Sequence, residues 1–557
     1  MDMPRLRPCS WVLVLVLAGA CAGPSASEQT QTRAGEGAAA RSEDAEADPV
    51  ARELERMWAE AGVEPSPLAS DAAFIRRASL DLVGRVPTQA EVETFLASDA
   101  PDKRAALVDD LLASEAHAER WAGLWTAELL PGDRKARRIA GEALESYLFG
   151  ALADNRSWSA VAEDLLAAEG MVEDDPALAY LGARKLRGPR REDAVAELSS
   201  TTARVFLGAQ IECAQCHDHP YAPEFSREDF WAQAAYFGRT VVRFDREALK
   251  QAKAQAKGKR AKMAPPKVEV HERRKGELRV ALDGDDAVVI APRFLGAEAS
   301  ASAEGETRRA ALARSIIADP RFAEATVGWV WNQLLGAGIV EPWDGLLAAR
   351  ERPALLTALA EEFRASDHDQ RALIRRIVLS PAYQRASSGP AKLDTHEIAA
   401  AEAVFARAAV RPLDAEQLFA SLLTVTAIEE VGGRAFRRAV RGKIETALRE
   451  YEFVFADDEM GAGDGFSGNV PQALLLLNGG LTNEGVVARP GSGLERILAD
   501  SAETDARLED LWLMIYARHP RPEELALGRE TIARDGTRAW EDLMFAMIYS
   551  SEFGSNH

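Results

Sequence analysis

From Pro49 onward, apolar residues recur three and four positions apart along nearly the whole chain, and that spacing confines the fold to packed helices. Val50, Leu54, Met57 and Trp58 form the first such face. Asp71 is read as the cap of a helix carrying Phe74, Ile75, Ala78, Leu82 and Val83, which stops at Gly84. After the Arg85-Val86-Pro87 turn, Thr88 and Glu91 form a capping box. Further helices are expected over Asp102–Ser114, Glu115–Leu130 with Trp121 and Trp125 one turn apart, Ala140–Asn155 and Arg190–Leu207. The pattern resumes over Arg308–Ala318, Phe322–Leu335, Ala354–Arg364, Arg371–Leu379, Thr395–Ala409, Asp414–Thr424, Arg434–Glu450 and Asn469–Leu477. Lys267–Glu272 and Glu277–Ile290 alternate instead, and Gly284 divides the second segment into a β-hairpin. The expected fold is mainly α: a multi-helix bundle of repeated helical modules with a small β-hairpin insertion and a disordered N-terminal tether.

The repetition shows in the turns. Arg85-Val86-Pro87 with Glu91 and Arg518-His519-Pro520 with Glu524 share one Arg-x-Pro-x-x-x-Glu signature. Each is preceded by an apolar helix and followed by two more, ending at Ser114-Glu115 and Ser551-Glu552. Arg371 to Tyr383 carries a weaker copy of the final helix, so three-helix modules are expected to recur.

The N-terminus reads as an export signal over residues 1–20, with Arg5 and Arg7 ahead of an apolar run from Trp11 to Leu17. Leu17-Ala18-Gly19-Ala20-Cys21 resembles a bacterial lipoprotein box, which makes Cys21 a lipid anchor and residues 21–48 a polar tether. A plain signal peptide cut at nearly the same place is the alternative. The expected address is the periplasm, or the outer membrane as a lipoprotein. A formal net charge of −21 argues against nucleic acid as a partner.

Of four cysteines, Cys9 leaves with the signal and Cys21 with the anchor, so the body keeps Cys213 and Cys216. They stand in Cys213-Ala214-Gln215-Cys216-His217-Asp218-His219-Pro220. Cys-x-x-Cys-His is a haem c attachment pattern, with His217 as proximal iron ligand. Distal candidates by residue type are His117, His271, Met171, Met263 and Met460. Phe230, Trp231, Tyr236 and Phe237 follow on a helix begun by Ser226 and Asp229, as an apolar wall for the ring. A zinc site using Cys213, Cys216 and His219, a Cys213–Cys216 disulfide, and a metal-free redox loop compete with haem. Asp218, Glu224 and Asp229 are candidate acceptors for the two histidines, or caps.

Taken together, these motifs resemble a family abundant in Planctomycetes: exported proteins with a cytochrome-associated (PSCyt) domain fused to a PSD domain. The first resemblance rests on Phe74-Ile75-Arg76-Arg77 through Thr88, Glu119-Arg120-Trp121, Cys213 to Pro220 and Asp229-Phe230-Trp231. The second rests on Pro292 to Gly296, Val330-Trp331 with Gly336 to Pro342, Leu379 to Tyr383, and Arg411 to Gln417. Gly328-Trp329 departs from the Asn-Arg expected there. The domains are expected at 49–240 and 292–557, joined by a basic insertion and hairpin over 241–291.

The resemblance implies a mostly helical exported protein with a haem c site, and no established activity. The leading expectation is one covalent haem acting in envelope redox chemistry or electron transfer, after help from the c-type maturation machinery and with another envelope protein as partner. The alternatives are a non-redox scaffold or accessory to polymer breakdown, and a metal-dependent hydrolase using His217, His219 and nearby carboxylates. Asp457, Asp458, Glu459 and Asp464 form an acidic loop, and residues 246–275 a basic stretch, both read as solvated.

Overall fold

A computed structural model of the protein describes residues 48–130, 140–184, 191–244, 267–282, 286–297, 305–389, 393–427, 480–500 and 503–557. The export signal, Cys21, most of the basic stretch, the helices expected over 434–450 and 469–477 and the acidic loop lie outside these residues, as do Met263 and Met460.

The first half builds helices α1 (Pro49–Ala61), α2 (Asp71–Val83), α3 (Gln89–Ala97), α4 (Lys103–Ala113) and α5 (Glu115–Leu129). It continues through α6 (Glu142–Ala153), α7 (Trp158–Ala167), α8 (Arg191–Leu207) and α9 (Arg227–Ala234). The second half adds α10 (Arg308–Ala318), α11 (Pro320–Leu335), α12 (Ala354–Ala365), α13 (Gln370–Val378), α14 (Thr395–Ala403), α15 (Ala415–Thr426), α16 (Gly493–Asp500), α17 (Thr504–Tyr516) and α18 (Pro522–Ile548). The fold is thus mainly helical, and no described helix is long and apolar enough to cross a membrane.

Strands β1 (Gly170–Met171), β2 (Thr240–Phe244) and β3 (Val268–Glu272) form one antiparallel sheet in the order β1-β3-β2. The expected hairpin is present as β4 (Leu278–Ala281) and β5 (Ala287–Ile290). β3 does not extend that hairpin, because its Val268 and Val270 are buried through pairing with β2. A last pair joins β6 (Arg411–Pro412) to β7 (Ser555–Asn556).

Local chemistry fixes the helix ends. Ser70, not Asp71, caps α2. Asp71 occupies the first helical position and holds Lys103 and Arg104 at 2.7 Å each. Gly84 ends α2 at φ +74°, and a Cβ there would meet the Arg120 side chain at 2.9 Å. Capping boxes at Thr88 and Asp414 start α3 and α15.

The twin Arg-x-Pro-x-x-x-Glu turns have one geometry. Arg85 donates to both carboxylate oxygens of Glu91 at 2.9 Å and to its own neighbour's carbonyl, Val86 O, at 3.0 Å. Arg518 repeats this on Glu524 at 2.8 and 2.9 Å and on His519 O at 3.1 Å. Burial alone would raise the Glu524 carboxyl, but hydrogen bonds from Arg518 and Arg521 pull it down to about 2. After Arg518 the structure has one helix, α18, where two were expected, with Gly536 at φ +55° inside it.

The serine turns also repeat, in three copies. Ser114, Ser380 and Ser550 each donate their N–H to the carbonyl three residues back. Each Oγ then accepts the N–H three residues on, from His117, Tyr383 and Phe553. The counterpart of Ser114 is therefore Ser550, one residue before the serine expected from sequence.

Two apolar cores result, and α2 lies between them. Phe74, Ile75, Ala78 and Leu82 enter the larger core, which runs from α1 through α14 and takes in Leu513 and Ala517 at the end of α17. Leu80 and Val86 enter the smaller one, built on α15 to α18. Every residue from Phe74 to Val83 is buried. In the larger core Trp125 is stacked between Trp158 and Trp329, with ring centroids 4.2 and 3.7 Å away. That stack accounts for the departure at Gly328-Trp329: the indole fills an aromatic slot and donates to Glu128 at 3.1 Å.

Candidate functional site

The Cys213 loop leaves α8 at Gly208, whose φ of +56° turns the chain back. Ala209 bridges to Gly345, and Gln210 donates to Asp344 at 2.6 Å, so the loop's entry is pinned to the second half of the chain. Glu212–Gln215 winds into a 3₁₀ turn with Ala214 buried beneath it. Cys213, Cys216 and His217 are exposed, and both thiols are free.

His219 fastens the loop from inside. Its Nε2–H donates to Gln210 O at 2.8 Å, and its Nδ1 accepts the N–H groups of Tyr221 at 3.2 Å and Ala222 at 2.9 Å. Both ring nitrogens are therefore committed to backbone, and the neutral tautomer is fixed. Arg227 ties the far side, donating to Gln215 O at 3.2 Å and to Leu282 O and Ala281 O at the end of β4. Asp229, which sequence left as a histidine acceptor or a cap, closes the α9 capping box with Ser226 and pairs with Arg293 at 2.6 Å. Asp218 likewise serves as a cap, accepting the N–H of Arg227 at 2.9 Å.

This geometry overturns the haem c and zinc assignments made on Cys213, Cys216, His217 and His219. Among the described residues, no group of three or more His, Cys, Asp or Glu is placed to hold a metal ion. His219 has no nitrogen left for zinc. The aromatic wall is absent as such: Phe230, Trp231, Tyr236 and Phe237 are packed into the core, and Trp231 Nε1 closes on Gln215 O at 3.2 Å. The distal candidates among the described residues are elsewhere. His117 is buried on α5 with Nδ1–H on Leu82 O at 3.0 Å, while His271 and Met171 lie on β3 and β1. Haem-dependent electron transfer and metal-dependent hydrolysis at this loop fall with them.

Beside the loop the structure opens a cleft of about 780 Å³. Glu224 and Phe225, the loop's last residues, line it together with Asp229. Arg293 and Leu295, the start of α11, and Leu346, Leu347, Arg350 and Arg352 complete the lining. Three of its arginines are neutralised locally: Arg293 by Asp229 at 2.6 Å, Arg321 by Asp319 at 2.7 Å and Arg352 by Glu324 at 2.9 Å. Glu224 and Arg350 are exposed and have no charged partner among the described residues. Among the described residues the cleft therefore offers one free anion and one free cation beside the apolar side chains of Leu295, Leu346 and Phe225.

Residues 49–241 match the family model PSCyt2, described as a protein of unknown function (DUF1549), and residues 308–532 match PSD1, described as a protein of unknown function (DUF1553). The chain contains a PSCyt2 domain followed by a PSD1 domain. Both are Planctomycete cytochrome-associated families of unknown function, and such proteins are generally associated with the cell envelope. No curated protein and no solved structure matches the chain.

Some of the residues that carry the resemblance, Asp229, Arg293, Leu295 and Gly296, line the cleft, while others meet in a buried hub between the two halves of the chain. Asp81 of PSCyt2 accepts from Tyr383 Oη at 2.7 Å, from Arg411 at 2.8 and 2.9 Å and from Asn556 at 2.8 Å. Gln417 donates to Leu80 O at 3.0 Å, and Arg120 pairs with Asp414 and Glu416. Burial pushes the Asp81 carboxyl above its ordinary value despite Arg411, and holds the Tyr383 phenol well above its own. With Asp81 6% exposed, the hub is closed to substrate, so it serves as an inter-domain clasp. Sequence reading found the hub's motifs but missed Arg350 and the cleft, because an unpaired surface arginine has no periodic signature.

Proposed function

We propose that this protein is a binding protein of the cell envelope that seats an extended polypeptide segment in the cleft between its PSCyt2 and PSD1 domains. The observation that carries the reading is the pair Glu224 and Arg350, exposed charges of opposite sign that line one cleft and have no charged partner among the described residues. A polypeptide with a basic and an acidic side chain around an apolar stretch matches that arrangement. The volume suits a short segment. A saccharide would need an aromatic face to stack on, and the lining aromatic, Phe225, is 4% exposed. Nucleic acid is disfavoured by the lining acids and by a net charge of −21.

The leader and Cys21 support a lipid-anchored form, which places the cleft in the periplasmic space where such segments of other envelope proteins are accessible. Cys21→Ser then shifts the protein from the membrane to the soluble fraction of cells. Unchanged partition would remove the anchor.

The binding test uses the mature chain and fluorescein-labelled decapeptides with one lysine and one aspartate flanking apolar residues, read by anisotropy. Arg350→Glu and Glu224→Lys each weaken binding about fivefold, the worth of one exposed ion pair of ~1 kcal/mol. Equal affinity in the wild type and both variants would refute the reading.

A further inference from the structure

The exposed cysteines have a second consequence, independent of the cleft. A 3₁₀ helix advances about 2 Å per residue and sets side chains three apart above one another. Cys213 lies within the 3₁₀ turn Glu212–Gln215, and Cys216 follows it with φ −109° and ψ −29°, so the two cysteines are three residues apart on one turn. Their Cα atoms are then roughly 6 Å apart, inside the range a disulfide spans. Ala214 is buried between them and holds the turn down, while both sulfurs are free and exposed. Gln210, His219 and Arg227 brace the backbone on three sides.

We propose that Cys213 and Cys216 form a surface dithiol that exchanges with disulfides of other molecules, without a metal or prosthetic group. In the first step one cysteine, as thiolate, attacks a sulfur of the incoming disulfide. A new S–S bond forms as the old one breaks, and the released sulfur takes up a proton. In the second step the other cysteine attacks the bridged protein sulfur and expels the remaining half as a thiol. The protein is left with a Cys213–Cys216 disulfide. Two electrons and two protons have passed to the incoming disulfide, which is now two thiols.

The test equilibrates the reduced mature chain with oxidised glutathione and reads intact mass after acid quench. The wild type loses two hydrogens and retains no glutathione. Cys216→Ser and Cys213→Ser each retain one glutathione, since neither has a second thiol to expel it. These are exposed positions, and a far-ultraviolet circular dichroism spectrum equal to the wild type confirms that the variants are folded. Two glutathiones on the wild type, or an unreacted wild type in large oxidant excess, would overturn the proposal. Arg350→Glu leaves the glutathione result unchanged, so failure of the cleft and failure of the dithiol are separable.

Discussion

Arg76 and Arg77, adjacent on α2, grip two copies of one turn. Arg77 donates to Tyr383 O at 2.5 Å and Arg385 O at 2.8 Å. Arg76 donates to Phe553 O at 2.9 Å and Ser555 O at 3.4 Å, the corresponding carbonyls after the corresponding serine. Arg76 also reaches Ile515 O and Glu552 O, each at 3.1 Å. Two consecutive guanidinium groups thus bind two copies of one turn, the first within PSD1 and the second beyond its matched residues, to one helix of PSCyt2. Burial lowers the affinity of both for their protons, Arg76 to about 10, yet leaves them cationic at neutral pH.

Arg77→Met strands two carbonyls, and a buried acceptor left unpaired costs about 1–3 kcal/mol. The variant should therefore unfold at lower urea concentration by roughly 3 kcal/mol. Arg77→Lys, with one point charge for two acceptors, recovers only part of it. A midpoint equal to the wild type for Arg77→Met would show that the grip contributes nothing.

Asp81→Asn tests the hub from the anionic side. The amide cannot accept from Arg411, Tyr383 and Asn556 together, and breaking a buried pair by removing one partner costs about 3–5 kcal/mol. Combining it with Arg411→Met should cost less than the sum of the single changes, a coupling measurable by a double-mutant cycle.

The buried His117 gives a pH signature. Burial lowers its ring to about 4, with Leu82 O opposing and Arg371 assisting. The unfolded chain, with an ordinary value of 6.5, binds this proton first. Stability is therefore full above pH 6.5 and declines as pH falls toward 4, by roughly 3 kcal/mol from this group. His117→Asn, which keeps a donor for Leu82 O, should flatten the denaturation midpoint over that window. The same slope in the variant would assign it to other groups.

Trp329→Phe should remove the stacked partner of Trp125 and leave Glu128 without its indole donor. The expected cost is about 2 kcal/mol. The near-ultraviolet circular dichroism of the tryptophan stack should also weaken. An unaltered spectrum would mean that the rings are not held face to face in solution.

How much of this was legible follows from the kind of signal each feature leaves. Helical spacing placed α2, α5 and α8 within a residue or two, because each buries a continuous stripe. The Arg85 and Arg518 turns were legible because their ion pairs lie within six residues. The β1-β3-β2 sheet was not, since β1 offers only Gly170 and Met171 and pairs nearly a hundred residues away. The cysteine loop misled for a physical reason. A five-residue motif states which side chains are present but not where their nitrogens point, and His219 points into its own backbone.

The small β6–β7 pair sets the timing of assembly. Asn556 reaches Asp81 across 475 positions, and Arg76 reaches Phe553 across 477. The PSCyt2 helix that separates the two cores cannot satisfy its charges until the ribosome has delivered residues 553–556. Until then Arg76 and Asp81 lack these partners, so the joint between the two cores is the last part of the molecule to close.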